Sequence, residues 1–350
     1  MAASTAPNSN TNRNDPFSFT EILAPRDDDQ VKQDPVKVLA SDGVDLAIFI
    51  YEPPTVTKSE GHKHKHNANT ALVFYHGGGA HAGAGYPIMA RGLAENFGIT
   101  VYLPDLRGHG ASAGARGDAP SKEQVWRDVD TVLEFVADRH HGKQQQQASS
   151  SSRIFLGGHS SGGGLVVNYA TAAQEGITTT TTTAPSTASI SSIDGYVLVS
   201  PELGYKSGTA RPNRTEFAAV NLLAFIANGI FGILGHSKAV RFNYPPELLE
   251  ADNGMIGFNT VNMANAITLE SPVEQMQAIG KNNDVDVRKP IGLWVGSDDE
   301  LFVAEKVVGL VPKNNHDNDN IIGEILPGKN HLGILVDVHD HIGSWITKSI

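Results

Sequence analysis

Between Phe155 and Leu165 the chain reads FLGGHSSGGGL, and the pentad Gly158-His159-Ser160-Ser161-Gly162 follows an apolar run directly. Glycines two before and two after a serine suit a turn so tight that neighbouring side chains would collide. Such a turn pushes the Ser160 hydroxyl clear of the strand end. With 36 glycines in 350 residues, the same pattern can also arise by accident, so its partners must decide. A serine becomes nucleophilic only when a base takes its proton and an acid orients that base. Both follow, acid first. LWVGSDDELF puts Asp298 and Asp299 just past an apolar strand, and EILPGKNHLGI puts His331 just past the last one. Of the 14 histidines, His331 alone has that position; His339 and His341 fall inside the closing helical pattern. Asp299 is the preferred acid, and Asp298 is read as a cap for the following helix.

Attack on a carbonyl also needs hydrogen-bond donors aimed at the developing oxyanion. FYHGGGAHAG places His76-Gly77-Gly78-Gly79 after an early strand, where glycines leave backbone N–H groups open to a ligand. The amides of Gly78 and Ser161 are assigned that role. The implied chemistry is acyl transfer through a covalent intermediate, and it requires no metal and no organic cofactor. His62, His64 and His66 alternate in GHKHKHNAN and could chelate a metal. A flexible polar loop makes no preformed site, so the surface-loop reading is adopted.

The elements that must position these groups alternate along the chain. VKVLA and DLAIFIYEPP form a hairpin about Ser41-Asp42-Gly43. TALVFY, ITVYLP, RIFLGG, DGYVLVSP, KPIGLWVG and NIIGEIL read as strands, separated by helical patterns such as KEQVWRDVDTVLEFVADRHH. There Val125, Val129, Val132, Leu133 and Val136 share one side. Apolar strands separated by helices imply a mostly parallel sheet covered on both faces. Residues 1–34 read as a loose polar tail without the apolar core of a secretory signal. GHKHKHNAN, QQQQASSSS and TTTTTTAPSTAS read as solvated loop expansions.

Bulk composition narrows the class. A hydrophobic content of 40% suits a globular chain, and a net charge of −11 argues against nucleic acid as a partner. The absence of cysteine removes disulfides, a thiolate nucleophile and Cys-ligated zinc.

Taken jointly, these motifs resemble an α/β-hydrolase of the monoacylglycerol lipase / lysophospholipase type, grouped with the serine aminopeptidase S33-like hydrolases. The similarity rests on His76, Gly77, Gly79, His81 and Gly83; on Asp105, Arg107, Gly108, His109, Gly110, Ser112 and Gly114; and on Gly158 to Gly163. Ser200-Pro201 and Gly296 to Asp299 complete it. The resemblance implies structural roles for Arg107 and His109. Two departures touch the pocket wall: Gly85 intervenes before Tyr86, and the histidine segment reads NHLGI.

The expected organisation is a hydrolase core over 35–202 and 289–350, with a helical cap over 203–288 inserted after the sixth strand. The cap is implied by the resemblance. Phe217 to Leu234 fits a cap helix loosened by Gly229 and Gly232, either buried as cap core or forming an apolar wall for an acyl chain that also touches membrane. Asn221 and Asn228 argue against a membrane span. The expected activity is cleavage of a small-molecule or lipid carboxylic ester, in the cytoplasm, with transient membrane contact through the cap. An amidase or peptidase, and a silent binding protein on the same fold, are the alternatives.

Overall fold

The computed structural model describes residues 34–54, 69–144, 152–176, 192–212, 217–281, 288–313 and 320–349. The expected tail up to residue 33, His62, His64 and His66, and nearly all of the low-complexity runs lie outside these residues. The chain opens with β1 (Val36–Leu39), β2 (Asp45–Tyr51), β3 (Thr70–Tyr75), α1 (Tyr86–Phe97), β4 (Thr100–Pro104) and α2 (Lys122–Gln144). Then come β5 (Arg153–His159), α3 (Ser161–Gly176) and β6 (Ile193–Val199). An inserted segment follows, holding β7 (Ala218–Val220), α4 (Leu222–Phe231), β8 (Lys238–Phe242), α5 (Pro246–Ala251), β9 (Phe258–Thr260), α6 (Val261–Ile267) and α7 (Pro272–Ala278). The chain closes with β10 (Ile291–Gly296), α8 (Ala304–Val308), β11 (Ile321–Leu326) and α9 (Ile334–Lys348).

Eight strands form one sheet in the order β1-β2-β4-β3-β5-β6-β10-β11, in which only β2 runs against its neighbours. This is the α/β-hydrolase fold that the motifs imply. The central strands are apolar along their whole length because both faces are covered. Along β3, Ala71, Val73 and Tyr75 join one hydrophobic cluster while Leu72 and Phe74 join the other. Apolar residues of α2, α3, α6, α7 and α8 fill the first cluster, and those of α1 and α9 fill the second. Serine, acid and histidine all follow the carboxyl ends of parallel strands, where this topology gathers them at one edge of the sheet.

The inserted segment differs from an all-helical cap. β7, β8 and β9 form a small antiparallel sheet. The stretch from Phe217 to Leu234 is accordingly split. Ala218–Val220 pairs with β8, and the Asn221 side chain accepts from the Ala224 amide to start α4, which ends at Gly232 with φ 69°. At 10 residues, α4 is about 15 Å long. No helix among the described residues is long and apolar enough to cross a membrane.

Arg107 and Asp105 brace the loops beneath the site. Arg107 is buried, with Nε and Nη2 donating to Asp128 at 2.6 Å each and the guanidinium also reaching Asp42. Asp105 accepts from the Ala82 amide at 2.6 Å and the Ala111 amide at 2.7 Å, tying the glycine loop after β3 to the loop after β4. Removing one partner of a buried ion pair strands the other, at a cost of about 3–5 kcal/mol. Arg107→Ala is therefore expected to lower unfolding free energy by about that much in urea titration. A loss below about 1 kcal/mol, typical of exposed pairs, would show that the pair braces nothing.

Candidate active site

The elbow answers why glycines flank Ser160. A Cβ on Gly158 would collide with the Gly162 carbonyl, and one on Gly162 with the Tyr75 carbonyl. Ser160 itself has φ 52°, a left-handed conformation unusual for a residue with a side chain. Three main-chain hydrogen bonds hold it there: its N–H donates to Val199 O, and its carbonyl accepts from Gly164 and Glu202. β5 thus ends one residue before the serine and α3 begins one residue after it.

Asp299 and His331 meet as expected from their order. His331 Nδ1 donates to Asp299 Oδ2 at 2.8 Å, and both side chains are almost wholly buried. The Leu301 and Phe302 amides donate to Asp299 Oδ1 at 2.9 Å each, so both carboxylate oxygens are bound. Asp298 is exposed, accepts from Ser297 Oγ, and caps no helix, since α8 starts only after Val303. Burial alone would raise the Asp299 carboxyl, but His331 and the two amides more than offset it and leave it below its ordinary value. For His331 burial pulls downward, and the charge and hydrogen bond of Asp299, with Glu300 and Glu202 behind it, leave the imidazole raised. With Nδ1 donating to the carboxylate, the neutral ring keeps its lone pair on Nε2.

The main chain of His331 is held from both sides. Its N–H donates to Glu300 Oε2 at 2.8 Å, and its carbonyl accepts from His159 Nε2 at 2.9 Å. That second bond fixes the His159 tautomer, because a carbonyl can only accept. Nδ1 of His159 then accepts from the Tyr86 hydroxyl at 3.0 Å, and the same hydroxyl accepts from the Gly77 amide at 2.7 Å. Burial, aided by the nearby His331, drives the His159 pKa down to about 3, so this ring stays neutral. Tyr86, displaced by Gly85 from its expected spacing, still reaches the elbow.

The Gly77 amide is spent on Tyr86, whereas the amides of Gly78 and Ser161 have no acceptor among the described residues. Tyr244, just past β8, donates its hydroxyl to the Gly78 carbonyl at 2.7 Å and so holds the glycine loop from the inserted segment. Ser160, His331 and Gly78 line one cavity, walled by Phe217, Tyr244, Leu248, Met255 and Leu332. His76 and His109 turn away from this chemistry. Burial lowers them to about 4 and about 3, and their Nδ1 atoms donate to main-chain carbonyls. Motif order does not single out Glu300, His159 or Arg211, which donates to the Asp299 carbonyl at 2.8 Å. No group of three metal-ligating side chains occurs among the described residues.

Residues 66–317 match the family model described as serine aminopeptidase, S33. The chain belongs to that family. Among solved structures it is similar to a soluble variant of the monoglyceride lipase from Saccharomyces cerevisiae in complex with a substrate analog. The TM-score is 0.61 at 17% identity, over 93% of this chain and 99% of that one. It is also similar to the monoacylglycerol lipase of Paleococcus ferrophilus, with TM-score 0.55, 19% identity and coverage of 87% and 99%. The Pyrococcus furiosus esterase Pf2001 gives 0.50 at 16% identity, with coverage of 92% and 94%. At such identities the likeness establishes the fold. No curated protein matches the sequence. The chain is a hydrolase of the S33 family.

The pairing predicts how His331 titrates. Followed by NMR, its midpoint should lie above the ordinary histidine value of about 6.5. Asp299→Asn should lower it by about 1 pH unit or more, whereas Asp298→Asn should leave it in place. Equal responses to the two substitutions would contradict the geometry.

Proposed function

We propose that this chain hydrolyses carboxylic esters through an acyl-enzyme, in the manner of a monoacylglycerol lipase or lysophospholipase. The observation that carries the reading is the buried Asp299–His331 pair opening, with Ser160, onto a cavity beside two unengaged amides. His331 Nε2 takes the Ser160 proton as Oγ attacks the acyl carbon, and Asp299 stabilises the imidazolium that forms. The oxyanion accepts from the Gly78 and Ser161 amides. His331 then protonates the departing alcohol, and a water molecule, deprotonated by the same nitrogen, releases the acid.

The cavity wall supports an acyl substrate. Phe217, Leu248, Met255 and Leu332 are apolar, and Asp252 is its one carboxylate among the described residues. A peptidase acting on a free amino terminus needs an acceptor for the ammonium. Asp252 is already engaged, by His81 Nε2 at 2.7 Å and by the Gly254 amide at 2.9 Å. The ester reading is therefore favoured over the amide one.

Residues 203–288 serve as the cap in this reading, and α4 is its contact with lipid. On the helix Leu223 is 77% exposed, Ile230 68% and Phe231 67%, and Ile233 just past its end is 78% exposed. An apolar face of this kind on a short helix suits the headgroup boundary of a bilayer.

Ser160→Ala is expected to abolish hydrolysis of a short p-nitrophenyl ester while leaving the circular dichroism spectrum and Tm unchanged; retained turnover would falsify the assignment. Hydrolysis of a monoacylglycerol should exceed that of a proline amide, and the opposite ranking would favour the peptidase. Replacing Leu223 and Phe231 with Asp should abolish flotation with phosphatidylcholine vesicles and spare the soluble ester. Unchanged flotation would remove α4 from the lipid contact.

A further inference from the structure

Asp299 accounts for the side chain of His331 but not for the second carboxylate beside it. Glu300 follows Asp299 directly in the turn after β10 and is half-buried, with Oε2 accepting from the His331 amide at 2.8 Å. No Lys or Arg of the described residues forms an ion pair with it. The guanidinium of Arg211, from the segment after β6, donates to the carbonyls of Asp299 and Phe302 in the same turn. A carboxylate held partly out of water without a cation is costly, and here Asp299 adds like-charge repulsion. Burial first, and Asp299 after it, accordingly raise the Glu300 carboxyl, against the opposing pull of the His331 amide and ring.

We infer that Glu300 is a positioning carboxylate for His331: it holds the histidine main chain and supplies a second negative charge that favours the imidazolium. The inference rests on the proposed roles of Ser160, His331 and Asp299. Its physical content is timing. While the imidazole is neutral, Glu300 has no counter-charge. When Nε2 takes the Ser160 proton, the imidazolium becomes that counter-charge, so the interaction is stronger in the transition state than in the ground state. The hydrogen bond has a separate effect. With Glu300 on its N–H, His159 on its carbonyl and Asp299 on Nδ1, His331 is held at three points by two other segments, the end of β5 and the turn after β10.

The titratable and charged groups that face His331 are few. From the turn after β10 come Asp299 and Glu300; from the turn after β6 comes Glu202; from the end of β5 comes His159, which stays neutral. Arg211 approaches through the Asp299 carbonyl, and on the histidine's own segment Lys329 is paired with Asp337. Three carboxylates thus act in one direction on the imidazole, and Glu300 is the one bound to its main chain.

Glu300→Gln separates charge from geometry, because an amide oxygen can still accept from the His331 N–H. Two changes are expected in steady-state hydrolysis of a soluble ester across pH. The plateau kcat should fall roughly three- to tenfold with KM within twofold, as expected for one charge interaction at this range. The acid limb of kcat/KM should also move to lower pH, because an imidazole with fewer anions around it gives up its proton more easily. Glu300→Asp keeps the charge and should keep the wild-type acid limb even if its shorter reach lowers the rate. Tm of each variant, measured beside the kinetics, reports folding, and Glu300→Asp supplies the pH test should Glu300→Gln fold poorly.

A Glu300→Gln enzyme with the wild-type acid limb overturns the inference, whether its rate is unchanged or uniformly reduced at every pH. So does a Glu300→Asp enzyme whose acid limb drops as far as expected for Gln. Either result leaves the ester-hydrolase reading intact provided Ser160→Ala is inactive. Activity surviving in Ser160→Ala would instead bring down that reading itself.

Discussion

The site depends on a carboxylate that is fully buried and yet charged. Asp299 has no exposed surface, so its charge has to be balanced by what the fold supplies. Two amides of its own turn occupy Oδ1 and the imidazole of His331 occupies Oδ2. These bonds orient the ring and set its tautomer together. It also explains why the turn after β10 is so closely bound into the molecule. Arg211 holds its carbonyls, the Ser297 amide donates to Leu326 O, and the Asp298 amide donates to Lys329 O.

The other half of the site is anchored by a strained turn. Ser160 lies in the left-handed region, and the hydrogen bonds of β6 and α3 keep it there. Left-handed backbone at a non-glycine residue costs of order 1–3 kcal/mol and persists only where surrounding structure over-determines it. The elbow and the acid–base pair are not independent. A chain of donors runs from the Gly77 amide through the Tyr86 hydroxyl and the His159 ring to the His331 carbonyl. The glycine loop, the elbow and the histidine loop therefore share one hydrogen-bonded frame with a single consistent set of proton positions.

The inserted segment closes over this frame at several points. Tyr244 holds Gly78, the Ile256 amide donates to Gly79 O, and His81 pairs with Asp252 across the cavity edge. Its later helices behave differently. Met263, Ala266, Ile267 and Met276 of α6 and α7 belong to the main core beside α2 and α3, and Trp126 donates to the Ala266 carbonyl. One inserted stretch thus supplies both the cavity wall and part of the sheet's covering layer.

Much of this was legible in the residues themselves. The alternation of apolar runs and amphipathic patterns determined the sheet and its covering helices, because a strand buried on both faces has to be apolar throughout. Motif order after strand ends pointed to Ser160, Asp299 and His331, since parallel strands deliver their carboxyl ends to one edge whatever the loops contain. Phe217 to Leu234 reads as one helix because its apolar residues are too dense to show a period, and the partner strand β8 that claims Ala218–Val220 comes later in the chain. The choice between Asp298 and Asp299 likewise could not be settled locally. It turns on which carboxylate the turn points inward, toward Leu301, Phe302 and a histidine 32 residues away. The partners of the His331 main chain were beyond reach for the same reason: a backbone N–H or carbonyl has no residue type, and only the packed fold decides which side chain it meets.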